Sequence, residues 1–235
     1  MFNILKARCH QRHRTIAWPD APAVLPDRFR GRPVIRPHSC PPGACRACEE
    51  ACPVGAIRRA GDGPILDLGR CLFCGRCADV CPASAVTFTS EYRMAVRARA
   101  DLELDGAPYR LAAALDRAQR RLFGRSLRLR EVSAGGCNAC EADTNVLSTV
   151  GFDLARFGIQ FVASPRHADG IFITGPVTAN MRLALEKTHA AVAAPKLVIA
   201  CGACALSGGP FAGHPECRDG AAAGLPVDLF IPGCP

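Results

Sequence analysis

The order of polar and apolar positions divides this chain into four stretches. Over residues 1–34 there is little periodicity, and Pro19, Pro22, Pro26 and Pro33 forbid a long helix, so an extended arm is expected. Residues 35–90 are dominated by closely spaced cysteines. Across 91–126, Leu111, Leu115 and Leu122 recur at helical spacing among arginines and predict a linker followed by a helix. From Leu127 onward, short apolar runs alternate with helical patterns. The runs Leu127–Val132, Ile159–Val162, Gly170–Thr174, Lys196–Ala200 and Val227–Ile231 predict strands, with a helix from about Thr178 to about Ala190. Strand–helix alternation at this spacing implies a parallel α/β sheet over 127–235. No apolar stretch approaches the roughly 18 residues needed to cross a bilayer.

The loops that follow these strands carry the chemistry. They read Gly135-Gly136-Cys137-Asn138-Ala139-Cys140-Glu141, Ser164-Pro165-Arg166-His167-Ala168-Asp169, Gly175-Pro176-Val177-Thr178, Cys201-Gly202-Ala203-Cys204 and Pro232-Gly233-Cys234. Ligands of open α/β sheets gather outside the carboxyl ends of the strands. Cys137, Cys140, Cys204 and Cys234 can therefore converge on one point as a four-cysteine site.

Eight more of the fifteen cysteines fall between Cys40 and Cys81. Cys71, Cys74, Cys77 and Cys81-Pro82 form a C-x₂-C-x₂-C-x₃-C-P run, a signature of iron–sulfur ligation. Cys45, Cys48, Cys52, Pro53, Ala56 and Ile57 recur 29 positions later as Cys74, Cys77, Cys81, Pro82, Ala85 and Val86. Cys40 to Cys71 is 31 positions, so the first loop carries two extra residues within Pro41-Pro42-Gly43-Ala44. Such a duplication reads as a two-cluster bacterial ferredoxin. A cubane needs four thiolates from different directions; three come from one tight loop and the fourth from the pre-proline cysteine of the other repeat. That assigns Cys40, Cys45, Cys48 and Cys81 to one [4Fe–4S] cluster, and Cys71, Cys74, Cys77 and Cys52 to a second. Zinc ribbons use two separated pairs and lack the third cysteine before C-P. A disulfide framework is not expected, because the first twenty residues lack an apolar core and carry Lys6, Arg8, Arg12 and Arg14, unlike a signal peptide.

Charge changes the picture little. The formal +8 falls to about +2 once three clusters, each about −2 with its thiolates, are counted. Arginines such as Arg93, Arg97, Arg117 and Arg120 are scattered, and 6% aromatic residues are too few for base stacking, so nucleic acid is not the expected partner. Acidic protein subunits suit the balance better.

At Ala134-Gly135-Gly136-Cys137-Asn138-Ala139-Cys140-Glu141, Ser164–Asp169, Thr174-Gly175-Pro176-Val177-Thr178, Gly202-Ala203-Cys204-Ala205 with Gly208-Gly209, and Pro232-Gly233-Cys234-Pro235, the chain resembles a known family. It is the small electron-transfer subunit of [NiFe] hydrogenases and its homologue in respiratory complex I. It looks closest to the energy-converting, formate hydrogenlyase-like branch. The resemblance spans about 127–235, five motifs in order, and the Cys137–Cys140 spacing is hydrogenase-like where the complex I branch has adjacent cysteines.

The resemblance implies an α+β ferredoxin-like two-cluster domain over 35–90, then an α/β flavodoxin-like domain with a parallel sheet over 127–235. It further implies three [4Fe–4S] clusters, the third nearest the active site of a large subunit. Partners would be that large subunit, membrane subunits, and an electron donor or acceptor at the ferredoxin end. The protein would sit in the cytoplasm, peripheral on the inner face of the membrane. No complete active site is expected on this chain, and quinone instead of protons could end the wire. A stand-alone ferredoxin carrier would have no need of the α/β half. Glu141 is a candidate for a proton path, against a plainer role as a favourable charge at a helix start. Arg166 and His167 are candidates for hydrogen bonding near the third cluster. The family has one cysteine in the loop where this chain has Cys201 and Cys204. Cys204 aligns as the ligand, and Cys201 should be a small buried residue facing the sheet interior. Cys9 and Cys217 read as free thiols, and His10, His13, His38, His189 and His214 as surface residues.

Overall fold

The computed structural model describes residues 2–12, 14–40, 45–61, 63–112 and 126–234. The cysteine-rich part is built on small antiparallel sheets. Strand β1 (Pro33–Ile35) pairs with β4 (Val86–Phe88), and β2 (Ile57–Ala60) forms a hairpin with β3 (Gly63–Asp67). Between them lie two single-turn helices, α2 (Ala47–Glu50) and α3 (Arg76–Asp79). The 29-residue repeat is thus physical: α3 and β4 begin 29 positions after α2 and β2.

The following segment differs from a plain linker. Its residues Glu103–Leu104 form β5, which pairs with β3. Arg99 clamps this addition, with Nη1 and Nη2 donating to the two Asp67 carboxylate oxygens at 2.8 and 2.7 Å. A forked, half-buried pair of this kind is stronger than an ordinary surface ion pair. The helix expected on Leu115 and Leu122 lies outside the described residues.

The second half follows the alternation read from the sequence. In chain order it contains β6 (Leu127–Ser133), α4 (Ala139–Val146), β7 (Ile159–Phe161), β8 (Gly170–Thr174), α5 (Ala179–Ala191), β9 (Leu197–Cys201), α6 (Ala203–Ser207) and β10 (Leu229–Ile231). The five strands are parallel in the order β10-β9-β8-β6-β7. Every residue of central β8 is buried, because a parallel sheet covered on both faces favours an uninterrupted apolar strand. Chain direction reverses beside β6, so a crevice opens where β6 and β8 end side by side. Cys137 lies there.

The two halves share one apolar core, which runs from Leu66, Leu68 and Leu102 through Val96 to Val132, Ile173 and Phe230. Val96 and Phe230 exchange backbone hydrogen bonds of 3.0 and 2.8 Å, laying the connecting segment against the β10 edge. Ser207 Oγ also donates to the Gly69 carbonyl at 2.9 Å.

The N-terminal segment is not wholly extended. It opens with helix α1 (Phe2–Gln11), which precedes the first proline. The chain beyond it straddles both halves. Ile16 N–H donates to Gly151 O at 2.8 Å, Arg156 donates to the carbonyls of Ile16 and Trp18, and Trp18 packs edge-on to Phe157. Farther on, Gly31 and Arg32 donate to the carbonyls of Thr89 and Glu91. Among the described residues no helix is long and apolar enough to cross a membrane.

Candidate functional site

The ferredoxin-like part holds two cavities, each lined by four cysteines. Cys40, Cys45, Cys48 and Cys81 surround one, together with Arg59, Pro82 and Ala85. Cys52, Cys71, Cys74 and Cys77 surround the other, beside Ile57, Leu66 and Phe88. The pre-proline cysteine of each repeat therefore crosses to the other repeat's loop. Both are fixed in the same way: Ala56 N–H donates to Cys52 Sγ and Ala85 N–H to Cys81 Sγ, each at 3.2 Å. Phe73 N–H donates to Cys71 Sγ at 3.3 Å, and Arg59 Nη1 to Cys40 Sγ at 3.5 Å and to Cys45 O at 3.0 Å. Donors aimed at sulfur stabilise a thiolate and raise the potential of a cluster bound through it.

Burial, then the neighbouring thiols, pushes Cys71 up to about 12 and Cys77 up to about 11. Thiols held neutral in this way give up their protons only to a strongly bound metal. The quartets surround cavities and do not close on a point. Among the described residues no three Cys, His, Asp or Glu side chains stand close enough together for a single metal ion. Three thiols from one loop and the pre-proline thiol of the other repeat around each cavity suit a cubane held at its corners.

The third quartet assembles at the carboxyl edge of the parallel sheet. Cys137 is in the turn after β6, Cys140 is in the first turn of α4, Cys204 is in α6 after β9, and Cys234 follows β10. Asn138 takes a left-handed conformation (φ 71°) to start α4 between the first two. Burial raises Cys140 to about 12, with further contributions from Glu141, Cys204, Cys234 and Cys137. Cys204 is raised to about 11 by burial, then by Cys234, Cys137 and Cys217. The four thiols are thus electrostatic neighbours. Two hydrogen bonds hold their loops together, Gly202 N–H to Ile231 O at 2.9 Å and Ala203 N–H to Gly233 O at 2.8 Å. Two glycines keep the space open. A Cβ on Gly202 would stand 2.6 Å from Cys140 Sγ, and one on Gly209 would stand 2.9 Å from Cys204 Sγ.

The other cysteines separate from this quartet to different degrees. Cys201, at the end of β9, packs with Phe172, Ile199 and Leu129, and burial and then Cys140 push it up to about 12, so it too neighbours the quartet and is not turned wholly into the sheet. Cys9 is exposed on α1. Cys217, read from the sequence as a free thiol, is one, and lies close enough to Cys204 to raise it.

Glu141 is buried and accepts a 2.6 Å hydrogen bond from Thr174 Oγ1. Burial works to raise it, but hydrogen bonds from Ser133 and Thr174 hold it below the usual carboxylate range. Glu131, missed in the sequence, stands near it. Burial and then the Glu141 charge push Glu131 up, and among the described residues its Oε1 has no hydrogen-bond partner. Arg166 and His167 are exposed on the one-turn 3₁₀ segment Pro165–His167, and neither donates to a cysteine among the described residues.

An open cleft brings together side chains of the ferredoxin-like part, the α/β half and the N-terminal segment. Phe73 and Met94 line one side, Cys140, Cys234 and Cys201 another, and Arg28, Phe29 and Arg30 of the N-terminal segment complete it. Arg30 presses on the Cys74 loop closely enough that a Cβ on Gly75 would meet its Nε at 2.8 Å.

Residues 137–235 match the family described as NADH ubiquinone oxidoreductase, 20 Kd subunit, and residues 39–85 match the 4Fe-4S dicluster domain. The chain is 38% identical over 115 residues to the probable membrane-bound hydrogenase subunit mbhJ of Pyrococcus furiosus, covering 49% of this chain and 69% of that protein. It is 42% identical over 111 residues to formate hydrogenlyase subunit 7 of Escherichia coli, covering 47% of this chain and 44% of that protein. It is also 42% identical over 99 residues to an NADH-quinone oxidoreductase subunit of Bacteroides fragilis, covering 42% of this chain and 50% of that protein. The chain thus spans about half the length of the latter two relatives.

Proposed function

The chain belongs to the family of the 20 kDa subunit of NADH–ubiquinone oxidoreductase, and on that premise we propose that it is the electron-transfer subunit of a membrane-associated, [NiFe]-hydrogenase-like complex. The observation that carries this reading is the chain of three thiol quartets, two crossing between repeats and one at the sheet edge. Bound [4Fe–4S] clusters would supply one-electron carriers at these places. Cys40, Cys45, Cys48 and Cys81 would hold the first, Cys71, Cys74, Cys77 and Cys52 the second, and Cys137, Cys140, Cys204 and Cys234 the third. The strand order β10-β9-β8-β6-β7, second-first-third-fourth-fifth in chain order when read from β7, supports a flavodoxin-like second domain.

The protein's own residues define the route. Cys77 feels the charge of Cys48, so the first and second quartets are neighbours. Phe73, next to Cys74, lines the same open cleft as Cys140 and Cys234. Arg28 and Arg30 put positive charge in that cleft, and Arg59 does so at the first quartet. Each favours the reduced state beside it. The exposure of Cys137 and Cys234 leaves the third quartet open on the side where a large subunit would dock. Peripheral attachment through membrane subunits completes the reading.

The similarity to a quinone oxidoreductase subunit keeps a second reading, in which electrons pass to quinone beyond the third quartet. Tagged protein isolated from its own membranes tests both. Copurification of a large subunit and hydrogen-dependent bleaching of cluster absorbance support the first. Bleaching reversed only by a quinone supports the second. Isolation without any partner overturns both.

A further inference from the structure

Helix α1 takes no part in the electron route, and all of its residues are exposed. Phe2, Ile4 and Leu5 retain 79%, 73% and 59% of their accessible surface. Helical spacing puts Phe2, Leu5 and Cys9 on one strip, at positions i, i+3 and i+7. Lys6 flanks that strip on one side and Arg8 on the other, and Arg12 follows the helix end with a left-handed backbone (φ 55°). Ile4 stands beside Arg8. Lys6, Arg8, Arg12 and Arg14 are the only Asp, Glu, Lys or Arg residues before Asp20, so this part of the molecule is uniformly basic. Helices of this composition are stable in water only when the apolar strip finds a cover.

The chain after α1 is anchored. Thr15 Oγ1 donates to Val150 O at 2.9 Å and Ile16 N–H to Gly151 O, so the helix leaves the α/β half at a fixed point. Further apolar side chains are exposed around that point, among them Val150 at 73% and Phe152.

We propose that α1 lies in the surface of an anionic lipid membrane, with Phe2 and Leu5 turned into the headgroup–acyl boundary and the basic side chains at the phosphates. Charge complementarity selects this occupant: an apolar strip bordered by Lys and Arg, without acids, matches a negative interface that is apolar beneath. The long stems of Lys6 and Arg12 let their charges reach the phosphates while the strip is immersed. The helix is about 15 Å long, enough to lie on a bilayer and too short to span it. This contact adds to attachment through partner subunits and does not depend on the electron-transfer reading.

Flotation of the full-length protein with vesicles tests it, using phosphatidylcholine alone and with phosphatidylglycerol. Wild type binds the phosphatidylglycerol vesicles and is released by high salt. Because each basic side chain near an anionic surface strengthens binding about fivefold, Lys6→Gln with Arg12→Gln weakens partitioning roughly 25-fold. Phe2→Ala with Leu5→Ala, which keeps helix propensity, abolishes binding. Iron content, measured on every variant, stays unchanged and reports on the clusters separately. Equal binding to both vesicle types, no binding, or binding unchanged in the Phe2/Leu5 variant overturns the proposal. So does a result in which the variants lose only a copurifying acidic protein while wild type ignores vesicles.

Discussion

Replacing Gly202 with alanine probes the third quartet without touching a thiol. Gly202 has φ 91° and ψ 151°, a region that is essentially glycine-only and costs another residue about 1–3 kcal/mol. The new Cβ would also lie 2.6 Å from Cys140 Sγ, where normal contact is roughly 3.5–4.0 Å. Cys140 Sγ must therefore move by about 1 Å, while metal–ligand distances tolerate only about 0.2 Å. Strain and displacement can be told apart with Gly213→Ala. Gly213 has φ 79°, but its Cβ would meet nothing within 4 Å. Both variants should lose stability, at roughly 2–4 °C in Tm per kcal/mol. Only Gly202→Ala should lose iron, from about twelve to about eight atoms per chain, with the signals of the first two clusters unchanged. Anaerobic reconstitution followed by iron analysis and electron paramagnetic resonance reads this. Gly202→Ala protein that keeps its full iron complement would refute the assignment of this loop to a cluster.

Other expectations concern single groups. Cys204→Ala removes the third cluster and spares the other two, whereas Cys201→Ala is nearly silent because that thiol packs with Phe172 and Ile199; the spectra of the two variants decide. Arg59→Gln lowers the midpoint potential of the first cluster by removing the donors to Cys40 Sγ and Cys45 O, and Arg59→Lys restores part of it in a redox titration. Cys71 and Cys77, raised to about 12 and about 11, are protonated at neutral pH when free. Metal binding must displace those protons, so resistance of the second cluster to a chelator should rise with pH throughout the neutral range. Resistance that falls from pH 7 to pH 8 would contradict the burial of these thiols.

Much of this was legible because short-range spacing dictates it. The 29-residue cysteine repeat reappears in the spacing of α2 to α3 and β2 to β4, and the β8 strand matches its apolar run, Gly170–Thr174, residue for residue. What escaped depends on contacts between distant segments. The two-residue strand β5 has no periodicity to betray it and forms because Arg99 reaches back to Asp67. Glu131 shares the strand face of Leu127 and Leu129 and pairs with Phe172, so its charge interrupts an apolar face, and no motif marks it. Cys217 lies thirteen positions from Cys204 with no motif between them, and only folding brings it near. Helix α1 was hidden by the prolines that follow it.

The Val96–Phe230 pairing has a consequence for how such a chain can be divided. β10 is an edge strand, and an uncovered parallel edge offers unpaired amides and carbonyls to any passing strand. Val96 occupies part of that edge, so the segment joining the halves also guards one of them against self-association. A chain cut between 90 and 93 leaves the guard with the α/β half. A cut between 105 and 126 gives it to the ferredoxin half, and the sheet then stays soluble only while the two pieces remain docked.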